Sequence, residues 1–229
     1  MKIVSPFIFG LVFLSCNNKE EQVKPAANNT IHTAPVILNY DSCKKVILLV
    51  KQKNKAIWNK LTATQKEKIF TTAAAETIIP NWIGTAWDFN GTSETPHKGT
   101  IACGYFVTTI LRDAGLNIAR IKLARYASEQ MITSLVHPKY IQRFSNVVMA
   151  NFIQSIQLQG YGLYIVGLDN HTGFIYNDGK EIYFIHSTFV GTKNVQKEKA
   201  AESWVLRQSK YKVLGKISAD EKILNKWIN

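Results

Sequence analysis

The sequence predicts an α+β fold, helices first and a run of antiparallel strands after them. Three observations carry this. Phe106, Val107, Ile110, Leu111 and Ala114 recur at helical spacing behind Cys103. Downstream, two strand-like runs rich in Ile, Phe and Tyr, between His171 and His186, flank Asp178-Gly179. Asp-Gly is a hairpin signal, because a type I′ turn needs positive φ at both central positions. With 229 residues, 46% hydrophobic and 11% aromatic, the chain can bury a sizeable core, which excludes a disordered protein.

The chain opens with Lys2 and an apolar run from Ile3 to Leu14. That run is too short to span a bilayer and reads as a signal peptide over 1–15. Its end, Phe13-Leu14-Ser15-Cys16, resembles a bacterial lipobox, which implies lipidation of Cys16 and a membrane anchor there. Residues 16–37 are rich in Asn, Lys, Glu, Gln and Pro, the composition of a tether. Glu20 and Glu21 loosely resemble the surface-export signal of some Gram-negative lipoproteins. The expected location is therefore the bacterial envelope, lipid-anchored at the outer membrane, periplasmic or surface-facing.

Residues 38–80 read as an N-terminal helical segment. Asp41 or Ser42 can cap a helix reaching about Lys55, with Val46, Leu49 and Val50 on its apolar side and Cys43 as a small buried thiol. Thr62-Ala63-Thr64-Gln65 fits a capping box for a second helix, about Ala63 to Ile78, which stops before Pro80. The remaining residues, 81–229, form the main domain. A stretch of Gly, Thr and aromatics (82–93) and a polar loop (94–100) lead to the helix that Cys103 opens and Gly115 closes. The stretch from Asn117 to Gly160 is mostly helical, broken at His137-Pro138. Tyr161 to Leu168 is a strand before the hairpin. Trp204–Leu206 and Tyr211–Ile217 are further strand candidates, and Asp220 to Trp227 forms a closing helix.

The formal charge is +12 and the isoelectric point about 9.6, which favours anionic partners. The lysines are scattered, without zinc-finger spacing or a basic-aromatic stripe, so nucleic acid is not the expected partner. With Asp178 and Gly179 as the loop, Asn177 faces Lys180 and His171 faces His186 across the hairpin. A Cys at a helix start, lowered in pKa by the helix N-terminus, and a His on a strand are what a cysteine hydrolase needs. One His takes the thiol proton and a third polar group orients it. One Cys and two His could also supply three zinc ligands, but no fourth stands out. No metal or cofactor is expected. Cys43 and Cys103 could alternatively pair as a disulfide.

In this order the motifs resemble the NlpC-like cell-wall cysteine peptidases. Gly84–Ser93 looks like the family's Gly/aromatic stretch, Cys103-Gly104-Tyr105-Phe106-Val107 its nucleophile block, His171–Tyr176 its base block, and Phe184-Ile185-His186-Ser187 its third-residue block. The resemblance covers Trp82 to Ser187. It implies a papain-like fold, with the Cys-bearing helix packed on an antiparallel sheet that carries His171 and His186. It also implies cleavage of an amide in peptidoglycan stem peptides. Cys103 would attack, its own N–H contributing to the oxyanion hole, while His171 serves as base and then acid and His186 orients it. Trp87 and Asp88 would line the groove. The sequence departs from the family at Ala102, where an Asp is usual, at Gly104-Tyr105 in place of Ser-Gly, and at Trp87 in place of a Tyr. Two alternatives stand beside this reading. One is a non-catalytic cell-wall-binding lipoprotein; the other is a papain-fold hydrolase or acyltransferase acting on something other than peptidoglycan.

Overall fold

The structure, a computed structural model, describes residues 39–229; the expected signal peptide, Cys16 and the tether lie outside them. The first helix, α1 (Tyr40–Lys55), is capped by Asn39, whose side chain accepts from the Ser42 amide at 2.8 Å, two or three residues earlier than expected. Its core face is Tyr40, Cys43, Ile47 and Val50, and Leu49 is 63% exposed. The apolar side therefore differs from the one expected. Tyr40 sets it, wedged where its hydroxyl accepts from Trp82 Nε1 and donates to Asp113 Oδ2. The capping box forms at α2 (Ala63–Thr71): Thr62 Oγ1 accepts from the Gln65 amide, and Gln65 Oε1 from the Thr62 amide. The helix continues as a π-helical segment, Thr72–Ile78, before Pro80.

These helices share one core with the rest of the described chain. Trp58 and Phe70 pack against Trp227 of the closing helix, at ring separations of 5.8 and 5.7 Å. That helix, α8 (Glu221–Ile228), is capped by Asp220. At the centre lies α3 (Cys103–Asp113), with Phe106, Val107, Ile110 and Leu111 fully buried. It ends in a Schellman motif, Leu116 N–H bonding Leu111 O and Gly115 N–H bonding Arg112 O. Two short helices follow, α4 (Arg120–Ala124) and α5 (Ser128–Leu135).

Six strands then form one antiparallel sheet in the order β1-β6-β2-β3-β4-β5. They are β1 (Ile141–Ser145), β2 (Gly162–Leu168), β3 (Thr172–Asn177), β4 (Ile182–Ser187), β5 (Val195–Lys199) and β6 (Tyr211–Gly215). α3 covers one face, Phe106 meeting Phe174 at 6.0 Å with Leu163, Ile165 and Ile185 beside it. The other face, Tyr164, Val166, Ile175 and Phe184, packs on Phe152 and Ile156 of α6 (Met149–Gln159) and Leu206 of α7 (Trp204–Gln208). The α+β class stands as expected. Residues 204–208 are helical rather than strand-like, because the Ser203 hydroxyl caps the Leu206 amide. β1 interrupts the stretch expected to be helical, and β5 gave no strand signal, its sequence being mostly polar.

The hairpin register also differs. Asn177 pairs with Ile182, not Lys180. Only Gly179 takes a positive φ, 91°, so a type I′ turn does not form. The Asp178 carboxylate instead accepts from the amides of Lys180 and Glu181, both at 2.8 Å, and holds the turn one residue later. The resulting shift of two residues keeps every side chain on its face, but sets His186 against Gly173 rather than His171.

Candidate active site

His171 stands just before β3, and His186 near the end of β4. Their rings meet diagonally: His171 Nε2 lies 2.8 Å from His186 Nδ1, so one nitrogen donates to the other. Gly173 makes this possible. A Cβ there would sit 2.8 Å from His186 Cβ, the Ile185 carbonyl oxygen and Phe184 Cε2. The His186 ring also stacks on Phe184, centroids 3.9 Å apart. Its outer nitrogen, Nε2, is 3.2 Å from Glu198 Oε1 on β5, off the axis an N–H bond needs, and so has no aligned hydrogen-bond partner among the described residues.

The two histidines belong to the sheet face that packs on α6 and α7, not to the face under α3. Cys103 meets this strand only at its end, where the thiol faces the Thr172 amide, next to His171. There Cys103, half-buried, and His171 line one cavity of about 780 Å³, together with Trp87, Phe89, Tyr105, Phe189, Asn170 and Arg125. Ser187 Oγ donates to the Ile101 carbonyl at 2.6 Å and fixes the segment before Cys103 against β4. Trp87 is half-buried in the wall, its ring 5.9 Å from Phe189. Asp88 is exposed and outside this lining; its Oδ1 accepts from the Asn90 amide at 2.8 Å and shapes the turn.

Burial governs the charges. His171 and His186 are 6% and 1% exposed, too little to hydrate an imidazolium. Burial, and then the neighbouring His186, bring His171 down to about 3. Burial also lowers His186, although Glu198 pulls the other way. Burial raises Glu198, but contact with His186 and Ser203 outweighs it and the carboxylate ends below its usual range. The Cys103 thiol is pushed up by burial, against the amides of Thr172, Gly104 and Cys103 itself, which favour the thiolate. This reverses the direction expected from the helix start alone, because desolvation exceeds those amide contributions. The resting pair is thus a neutral thiol and a neutral imidazole.

Ala102 caps α3 without a side-chain bond, leaving the amides of the first turn open toward the cavity end. Cys43 and Cys103 are both free thiols, so the alternative disulfide is not formed. Cys43 is buried beside Asn81. His137 is structural, its amide donating to Asp220. No three His, Cys, Asp or Glu side chains converge on a metal-binding arrangement among the described residues. Sequence reading missed Glu198, Phe189 and Arg125. Glu198 sits in an alternating charged run, Gln196-Lys197-Glu198-Lys199, which reads as solvent-facing, and the other two have no motif. No family model matches the chain, and no curated protein or solved structure does so either.

Proposed function

We propose that the protein is a cysteine hydrolase of the bacterial envelope, NlpC-like with a papain-like fold, anchored through Cys16 and cleaving an amide in peptidoglycan stem peptides. The observation that carries the reading is His171 standing in the wall of the cavity that Cys103 enters from a helix start, with the buried His186 ring 2.8 Å behind it. Cys103 Sγ attacks the amide carbonyl while His171 takes the thiol proton. The carbonyl oxygen becomes an oxyanion, to which the uncapped amide of Cys103 donates. The tetrahedral adduct collapses as His171 returns the proton to the leaving amine, and a thioester remains. Water, deprotonated by His171, then releases the acid and restores the thiol. His186 keeps the His171 ring in place, and Trp87 forms part of the groove.

Because thiol and imidazole rest neutral, His171 acts as a general base during attack rather than as one half of a preformed ion pair. A second reading, acyl transfer to an acceptor other than water, is favoured by the aromatic wall of Trp87, Phe89, Tyr105 and Phe189, against which an apolar acceptor could pack. Purified peptidoglycan incubated with wild type and with Cys103→Ala, followed by mass spectrometry of soluble fragments, tests the proposal. New amine-ended stem fragments are expected from wild type only, and their absence would overturn the endopeptidase reading.

A further inference from the structure

We propose that Arg125 is the anchor for a free carboxylate on the substrate, so that this site selects acyl compounds carrying an acid group near the bond attacked. The inference rests on Cys103 being the reacting thiol. Among the described residues that line its cavity, Arg125 alone bears a formal charge; the rest of the wall is aromatic, small or neutral. No acidic side chain of the described residues lines it, so a substrate amine finds no counter-charge among them, whereas a carboxylate finds a guanidinium.

That guanidinium is uncommitted. Arg125 also borders a second cavity with Arg112 and Arg120, and both of those are engaged. Arg112 pairs with Glu94 at 2.6 Å and Asp113 at 2.7 Å. Arg120 donates to Thr109 Oγ1 and to the carbonyls of Thr92 and Ser93. The Arg125 side chain has no hydrogen bond or ion pair among the described residues, although its backbone N–H donates to the Leu123 carbonyl. Its position is nonetheless fixed. It caps α4, and the carbonyl of Ala124 lies so close to α3 that a Cβ on Gly104 would be 2.4 Å from the oxygen. The side chain therefore leaves the backbone one residue from a contact with the neighbour of Cys103. A planar fork suits a carboxylate in two-point contact, and because Arg125 is exposed at the rim the attraction is that of a solvated, salt-screened pair.

The test uses the thiol as its own reporter. N-chloroacetylglycine, an acid, and its amide each alkylate Cys103, forming the C–S bond as chloride leaves. Rates are followed on the full-length protein at one pH and low ionic strength by peptide-resolved mass spectrometry, normalised to glutathione. Wild type is expected to prefer the acid by about twofold to fivefold at low ionic strength, a preference that fades with salt. R125Q should abolish it, R125E should invert it, and K122Q, on the neighbouring cavity only, should leave it intact. An acid-to-amide ratio unchanged in R125Q would overturn the proposal, as would failure of both probes to reach Cys103. Neither result depends on turnover, so a negative peptidoglycan assay with a positive probe ratio would sink the endopeptidase reading and leave the carboxylate site standing.

Discussion

Cys103 is a helix-start thiol that burial holds in its protonated form. The amides of Thr172, Gly104 and Cys103 favour the thiolate, but desolvation is larger. His171 at about 3 cannot hold a proton at neutral pH and so lends the sulfur no positive charge at rest. Iodoacetamide labelling of Cys103, read by peptide mass spectrometry, is therefore expected to be slower at neutral pH than that of a free thiol and to rise with pH beyond the ordinary thiol range. A labelling plateau below pH 7 would instead reveal a thiolate–imidazolium pair. Arg125 has the opposite character: exposed, charged and, among the described residues, unpaired, at the rim of the same cavity.

Among the elements, the β3–β4 hairpin carries most of the site. Its turn is set by the Asp178 carboxylate, and its far end by Gly173, the one place where His186 can cross toward His171. Gly173→Ala is expected to cost about 1–3 kcal/mol by overpacking against His186 and Phe184. Gly179→Ala should cost only about 1 kcal/mol, since its Cβ meets nothing and only the positive φ is penalised. Chemical denaturation of both variants checks this; equal losses would mean that the strands part easily at Gly173. The hairpin also shows what a sequence can reveal. Asp-Gly marked the turn, and the period of two marked the faces, so both histidines fell on one side whichever register held. The register itself depended on which side-chain oxygen captured the turn amides, a competition that residue type does not settle.

Across the whole molecule, the central helix was legible because Phe106, Val107, Ile110 and Leu111 all point into one core, and Gly115 closes it. The order helix, strand, hairpin, strand, helix was legible for the same reason. What pattern could not show was the second helical layer. With α6 and α7 behind the sheet, β2 and β3 are buried on both faces and lose their alternation. Most of the histidine face therefore looks at α6 and α7, and only His171, at the strand end, lines the cavity of Cys103. Burial of two neutral imidazoles also ties stability to pH. An unfolded chain takes up a proton on His171 near 6.5, the folded one only near 3. Between those values the unfolded state binds more protons, so stability is complete above about 6.5 and falls as pH drops, by about 1.4 kcal/mol per pH unit for one such group. Denaturant midpoints measured from pH 7 to 4 should decline accordingly, and His171→Gln should flatten the slope.

The row His171, His186 and Glu198 crosses the sheet from the cavity to an edge strand, where the Glu198 side chain is 32% exposed. One end of the row, His171, lines the cavity, and the other, the partly exposed Glu198 carboxylate, meets solvent on an edge strand, so the buried imidazole pair has one end open to a ligand and one end open to the medium.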